Sequence, residues 1–276
     1  MKIGFVGQGF VGKHIADDFE RRGYAVVRYA LEPEYAMNKV HISQCDVVFI
    51  AVPTPTTPRG FDYSIVESAL QNVGYGKIAV IKSTLLPGTT KTLQDLHKDK
   101  VILFSPEFLC ESTATYDAAH PMFNIIGMAY DSAGHRKAAG VVARMLPQSD
   151  HNYIIRAHAA EFFKYVHNIH GFMRVVLSNV FFDLSQKVGI DWADIKLIMD
   201  NDPMMSPYYN SPVHKSGRGA GGNCFIKDFA AFKQFAKETF TNHEYESLLA
   251  AAERVNLDLL KSSGKDIHII KSVYGE

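Results

Sequence analysis

Cys224 ends the run S-G-R-G-A-G-G-N-C, which begins at Ser216, and Lys227 and Asp228 follow it. Glycine lets a backbone turn sharply and approach a ligand closely. A thiol delivered on such a loop, at a helix start, sits where its thiolate is favoured and reachable, which is how a covalent nucleophile is mounted. The other reading is an ordinary buried thiol, since free cysteine is among the most buried residue types. Lys164 and Asn168 stand four apart in a helical pattern and so project from one face a turn apart. Lys164 also follows Glu161 by three, the spacing of an exposed helical ion pair. Glu107 and Glu111 are again four apart, either as a pair on an exposed helical turn or as acid and base candidates in a loop at the end of a strand.

The elements that must carry these residues follow from the apolar pattern. Lys2 to Val6 is a short β-type run, followed by Gly7-Gln8-Gly9-Phe10-Val11-Gly12 and an amphipathic stretch to Arg22. Strand, G-x-G-x-x-G and helix form the context of a dinucleotide fingerprint, in which pyrophosphate lies against the helix N-terminus. The competing reading is a glycine turn that packs helix on strand. The second strand, Ala25 to Tyr29, lacks the usual acidic end; Glu32 stands just beyond it to meet the ribose, or Arg28 to receive a ribose phosphate, so NAD is preferred over NADP. Strands follow at Asp46–Val52, Ile78–Lys82, Val101–Phe104, Phe123–Ile126 and Asn152–Ile155, with helices at about 62–71 and 132–145. The alternation predicts a doubly wound, Rossmann-type parallel sheet, with ligands beyond the carboxyl ends of its strands. From Ala157 the pattern is helical: a long helix to about Val188, a short one over 191–199, the glycine loop and two more. The domains read as 1–155, dinucleotide binding, and 156–276, an all-helical domain with a long central helix and a short strand-like tail. Phe162, Phe163, Tyr165, Phe172, Phe181 and Phe182 spread around the long helix, which suggests burial on several sides, beneath both domains or against a second copy.

Composition narrows the field. The 276 residues carry 29 basic and 29 acidic side chains, so charge gives no case for nucleic acid or an anionic membrane as partner. Cys45, Cys110 and Cys224 are few, odd in number and widely spaced, which argues against a disulfide framework or a metal site and for a reducing compartment. With no signal-like start and no spanning apolar run, a soluble cytoplasmic protein is expected.

Six segments follow one another along the chain: G-Q-G-F-V-G at Gly7–Gly12, V-P-T-P-T at Val52–Thr56, S-T-L-L-P-G-T-T at Ser83–Thr90, S-P-E-F-L-C-E at Ser105–Glu111, A-E-F-F-K-Y-V-H-N at Ala160–Asn168 and G-R-G-A-G-G-N-C-F-I-K-D at Gly217–Asp228. Taken together they resemble the UDP-glucose/GDP-mannose dehydrogenase family over nearly the whole chain. The resemblance implies NAD-dependent oxidation of a nucleotide-sugar C6 alcohol, of the UDP-glucose type, through the aldehyde to the acid. By that analogy Cys224 captures the aldehyde as a thiohemiacetal that is oxidised to a thioester. Lys164 and Asn168 stabilise the oxyanion, and Glu107 or Glu111, with Thr84 and Asp228, activates water. NAD is expected on Gly7, Gly9, Phe10, Val11, Gly12, Glu32, Val52, Pro53, Thr54, Ser83, Thr84, Glu111 and Lys227. The sugar nucleotide is expected on Phe108, Leu109, Lys164, Asn168, Gly217, Gly219 and Gly221, and a homodimer through the long helix.

The sequence departs from the family pattern in several places. The segment Leu31–Ser43 is short, Ala220 replaces an aromatic in the glycine loop, and Met204-Met205 stands where arginine is common. Family members continue into a second Rossmann-like domain, whereas here Lys265–Lys271 resembles only its opening strand, expected to dock on its own body or to pair with a partner chain. Two other readings therefore stand beside the active dehydrogenase: a relative with a different substrate, and a cofactor-binding remnant completed by a partner chain.

Overall fold

A computed structural model describes residues 1–275. The chain gathers into two compact units, Met1–Thr54 with Asp62–Lys164, and Pro55–Phe61 with the chain from Tyr165 onward. In chain order the first unit holds β1 (Ile3–Val6), α1 (Phe10–Arg21), β2 (Val26–Tyr29), α2 (Pro33–Ala36), α3 (Lys39–Ile42) and β3 (Val47–Ile50). The small hairpin of β4 (Thr56–Thr57) and β5 (Gly60–Phe61) belongs to the second unit. The first unit resumes with α4 (Ser64–Leu70), β6 (Ile78–Ile81), α5 (Thr89–Leu96), β7 (Val101–Phe104), α6 (Ala114–Ala119), β8 (Asn124–Met128), α7 (Ala133–Met145), β9 (Asn152–Arg156) and the first turns of α8 (Ala157–Lys187).

Seven strands form one sheet in the order β2-β1-β3-β6-β7-β8-β9. β1 and β3 are buried along their whole length, as expected of strands covered on both faces. Phe5 of β1 stacks on Phe49 of β3 at 4.9 Å, and Phe19 of α1 meets both rings edge-on. Truncating one such ring to alanine would cost about 3–5 kcal/mol. The predicted all-parallel sheet needs one correction, because β8 runs antiparallel to β7, with Leu103 opposite Met128. The connection between them contains only the six-residue α6. Having no full crossover to carry the chain to the other end of the sheet, it re-enters β8 from the end at which β7 left.

The change of unit falls inside α8, after Lys164. The first turn of α8 lies flush against β8, where a Cβ on Gly127 would stand 2.7 Å from Ala157 Cα.

The second unit continues with the rest of α8, then α9 (Trp192–Asn201), the hairpin β10 (Val213–His214) and β11 (Gly217–Arg218), α10 (Gly222–Thr239), α11 (His243–Ser262) and α12 (Ile267–Tyr274). Its two hairpins qualify the expectation of an all-helical domain. Phe172 of α8 stacks on Phe229 of α10 at 3.8 Å in one core cluster. The tail predicted as a strand is the helix α12, since Ile267, Ile270 and Val273 recur at helical spacing. Ile269, Ile270 and Val273 dock beside Ile226, Ala230 and Leu260 in a second cluster. The aromatic residues of α8 divide: Tyr165 and Phe172 are buried within the chain, whereas Phe162, Phe163 and Phe181 are exposed.

Candidate active site

The two halves of the predicted site lie in different units, each with its own geometry. In the first, β1 leaves the sheet at Gly7, whose φ is 93° and where a Cβ would stand 2.2 Å from Ala51 O. A Cβ on Gly12 would stand 2.0 Å from Gly7 O. These two glycines let strand ends and helix pack, as the simpler reading of the motif held. Gly9 differs: it is exposed, a Cβ there would meet nothing within 4 Å, and it N-caps α1 with no side chain bonded to the first-turn amides. Phe10 is exposed and Val11 half-buried beside it. The loop lies where β1 is flanked by β2 on one side and β3 on the other, the crevice in which open α/β sheets bind ligands. Open room at an uncapped helix N-terminus fits a dinucleotide pyrophosphate.

Beyond β2, Glu32 is exposed and N-caps α2 through its carbonyl, which accepts from Tyr35 N at 2.9 Å and Ala36 N at 3.0 Å. Arg28 is turned back onto α1. It donates to Glu20 Oε1 and Oε2 at 3.0 and 2.7 Å and lies 2.6 Å from Asp17 Oδ1. Neutralised this way, it is a poor receptor for a ribose phosphate, which removes the alternative that favoured NADP.

At the ends of β3 and β6, Ser83 Oγ accepts from Val52 N at 3.0 Å and donates to Val52 O at 2.7 Å, which locks the two loops together. Pro53 is exposed, Thr54 is buried and Thr84 is half-buried. Lys164 is buried, donates to Glu107 O at 2.5 Å, and lies 3.5 Å from Glu107 Oε1 and 4.7 Å from the Phe108 ring centre. Glu107 Oε2 in turn accepts from Leu109 N at 2.8 Å. Residues 105–110 are irregular, so the two glutamates do not share a helical turn. Glu107 is the one placed against Lys164, and Glu111 is exposed on the turn that follows.

Two residues outside the predicted set complete this half. Lys82, at the carboxyl end of β6, donates to Ser105 Oγ at 3.1 Å and Pro106 O at 3.5 Å. Burial pushes its ammonium down to about 8, with Glu107 pulling upward and Lys164 adding to the depression. A lysine ending an apolar strand, just where such sheets bind ligands, was the available signal. Glu161 is fully buried and accepts from Gly88 N at 2.6 Å, Thr90 N at 2.7 Å and Thr90 Oγ1 at 2.5 Å. It thus caps α5 from outside, and since both Glu161 and Lys164 are buried the spacing does not mark an exposed pair.

In the second unit, Asn168 Nδ2 donates to Asp228 Oδ2 at 2.6 Å and Lys227 Nζ to Asp228 Oδ1 at 2.5 Å. Asp228 and Asn168 are both buried, so the carboxylate is held by an amide and an ammonium in a site shielded from water. Cys224 is exposed in the first turn of α10, where helix N-termini favour negative charge, so it is not the buried thiol of the simpler reading; Cys45 is. Gly217 and Gly219 are buried and Gly221 half-buried; Gly217 and Gly221 pack closely on the chain that follows α11, and Gly219 on α11 itself. Met204 and Met205 are exposed. Through α8, one unbroken helix, Lys164 and Asn168 are a turn apart.

Comparison with known proteins bears on both halves. Residues 30–142 match the model of the UDP-glucose/GDP-mannose dehydrogenase family NAD binding domain, and residues 158–258 match that family's central domain. The putative UDP-glucose 6-dehydrogenase YtcA of Bacillus subtilis is 31% identical over 235 residues, which take in 79% of this chain and 52% of that protein. A UDP-glucose 6-dehydrogenase of Streptococcus pneumoniae is 29% identical over 273 residues, 84% of this chain and 68% of its own. The chain thus spans about half the length of the first of these relatives and about two thirds of the second. In fold it is similar to a UDP-glucose dehydrogenase from Pyrobaculum islandicum, with a TM-score of 0.81 and 23% identity, covering 99% of this chain and 71% of that one.

Proposed function

Because the chain belongs to the UDP-glucose/GDP-mannose dehydrogenase family, we propose that it oxidises the C6 alcohol of a nucleotide sugar, of the UDP-glucose type, to the carboxylic acid. The observation that carries this reading is Cys224, an exposed thiol in the first turn of α10, four residues before Asp228, which is buried and held by Asn168 and Lys227. Bound on Gly7, Gly9, Phe10, Val11 and Gly12, with Glu32, Val52, Pro53, Thr54, Ser83, Thr84, Glu111 and Lys227 as further contacts, NAD supplies the acceptor for two hydrides.

The chain's own residues do the remaining work. Asp228, fixed by Asn168 and Lys227, takes the alcohol proton through water. The Cys224 thiolate adds to the aldehyde carbon, so that the reactive intermediate stays bound as a thiohemiacetal. The Lys164 ammonium and the Asn168 amide stabilise negative charge on the carbonyl oxygen as it develops. After the second oxidation, water oriented by Glu107 and Thr84 attacks the thioester carbon, releasing the acid and restoring the thiolate. Phe108, Leu109 and the backbone at Gly217, Gly219 and Gly221 serve the sugar nucleotide. The exposed apolar side of α8 serves a second copy of the chain, making a homodimer.

The test is NADH formation on addition of UDP-glucose, with other nucleotide sugars in parallel. The wild type is expected to release two NADH per acid formed, and Cys224→Ala to lose at least about a thousandfold in acid formation. Unchanged acid production by Cys224→Ala would overturn the mechanism, and turnover of another sugar nucleotide alone would reassign the substrate.

A further inference from the structure

The loop that leads into Cys224 is held from one side by Asn256 and by the junction between α11 and α12. Asn256 Oδ1 accepts from Ala220 N at 2.7 Å, and its Nδ2 donates to Ala220 O at 3.0 Å. Ser263 Oγ accepts from Arg218 N at 3.0 Å. Lys265, itself buried, donates to Gly219 O at 2.9 Å and Gly217 O at 3.5 Å. Asp266 Oδ2 accepts from Gly222 N, the first amide of α10, at 2.7 Å. The fit leaves no slack: a Cβ on Gly221 would stand 2.1 Å from Asp266 Oδ2 and 2.8 Å from Lys265 Cε, and one on Gly217 would stand 2.5 Å from Ser263 Oγ. Asp266 reaches this position from a left-handed backbone, with φ 54°. Gly217 and Gly221 are therefore required by the chain that packs against them.

Two neighbouring charged residues are spent on the backbone of one loop. Burying an ammonium against neutral carbonyls is costly, and burial lowers the Lys265 pKa, against the attraction of Asp266. A neutral side chain with one donor would join the same segments at lower cost, whereas a charged pair fixes both ends of the loop in one register, its carbonyls on the ammonium and the helix's first amide on the carboxylate.

We propose that Lys265 and Asp266 are positioning residues for the nucleophile, a two-residue clamp that fixes the glycine loop and the first amide of α10 and thereby holds the Cys224 sulfur where it reacts. The inference rests on the reading of Cys224 as the nucleophile. The clamp touches the loop and not the sulfur, so it acts through geometry, and a displacement of about an ångström at a reacting atom costs on the order of a hundredfold in rate.

The test uses the full chain with Asp266→Ala, Asp266→Asn and Lys265→Met, each checked for folding by circular dichroism and urea denaturation. Two quantities are read: the pH profile of Cys224 alkylation by iodoacetamide, followed by peptide mass spectrometry, and kcat and KM with UDP-glucose and NAD. Asp266→Ala and Lys265→Met are expected to lower kcat about 10- to 100-fold with KM for NAD unchanged, and to alter the alkylation profile. Asp266→Asn is expected to recover part of both measurements, because its Oδ1 accepts from the same amide but without the charge that faces Lys265. Should Asp266→Ala fail to fold, Lys265→Met carries the test. Folded variants that lose stability but alkylate and turn over within twofold of the wild type would overturn the clamp. A wild type that never reduces NAD counts against the functional reading alone, since alkylation reports on the sulfur without substrate.

Discussion

Lys82 carries a charge that the folded chain holds at a cost. Its ammonium, ordinarily near 10.5, is pushed by burial down to about 8, and the groups facing it are Ser105, the Pro106 carbonyl, Glu107 and Lys164. Below pH 8 both folded and unfolded chains hold the proton, and the full penalty is present. Between about 8 and 10.5 the unfolded chain holds a proton that the folded chain has released, so stability rises with pH across that window, by about 3 kcal/mol in all. Urea denaturation of the wild type and Lys82→Met at intervals from pH 7 to 10 is expected to show the wild type gaining on the variant above pH 8; parallel curves would mean that Lys82 is not buried as a charge. The exposed position of Cys224 at a helix start was legible in the sequence because the glycines before it advertise a turn. Lys82 was marked only by its place at the end of an apolar strand, and Glu161 not at all, since a charge beside a lysine on a helix reads as solvated until the packing around it is known.

At the scale of elements, α5 depends on a residue remote in sequence. Gly88, its N-cap, has φ 96° and supplies no side chain, so the first amides would be orphaned without Glu161. Glu161→Ala removes three hydrogen bonds and leaves the buried Thr90 amide and the half-buried Gly88 amide unsatisfied, at an expected cost of about 2–5 kcal/mol in urea denaturation. Glu161→Gln is expected to recover part of this, since one amide oxygen still accepts while the NH2 group meets donors. A loss below about 0.5 kcal/mol for Glu161→Ala would show that water serves the cap as well. The strands and α1 were legible because continuous apolar runs and the glycine turn agree with one another. The antiparallel β8 was not, because strand direction follows from where the connection travels and not from the strand's own residues. The Lys265–Lys271 segment misled for a related reason: its isoleucines suit a strand, but their spacing also suits a helix, and the cleft beside Ile226 and Leu260 decides between the two.

At the scale of the whole molecule, the second half of α8 leaves an unusual amount of apolar surface in contact with water. Leu177, Val180, Phe181 and Leu184 recur at helical spacing and are 48, 45, 52 and 57% exposed, Val188 just beyond the helix is 60% exposed, and Leu197 and Ile198 of α9 are 66 and 67% exposed. An apolar stripe of this length on one helix is typical of a surface that another chain covers, and with no net charge there is little repulsion between copies. The proposed homodimer accounts for it without a foreign partner, because an antiparallel pair of such helices places the same residues on both sides of a two-fold axis. Analytical ultracentrifugation is expected to give twice the 30.8 kDa chain mass for the wild type. Phe181→Glu with Leu184→Glu is expected to give the chain mass itself, each glutamate placing a charge in a surface that would be dry in the dimer, while circular dichroism stays unchanged because both positions face outward. A wild type that sediments at the single-chain mass at micromolar concentration would assign the stripe to some other partner and remove the homodimer from the functional reading.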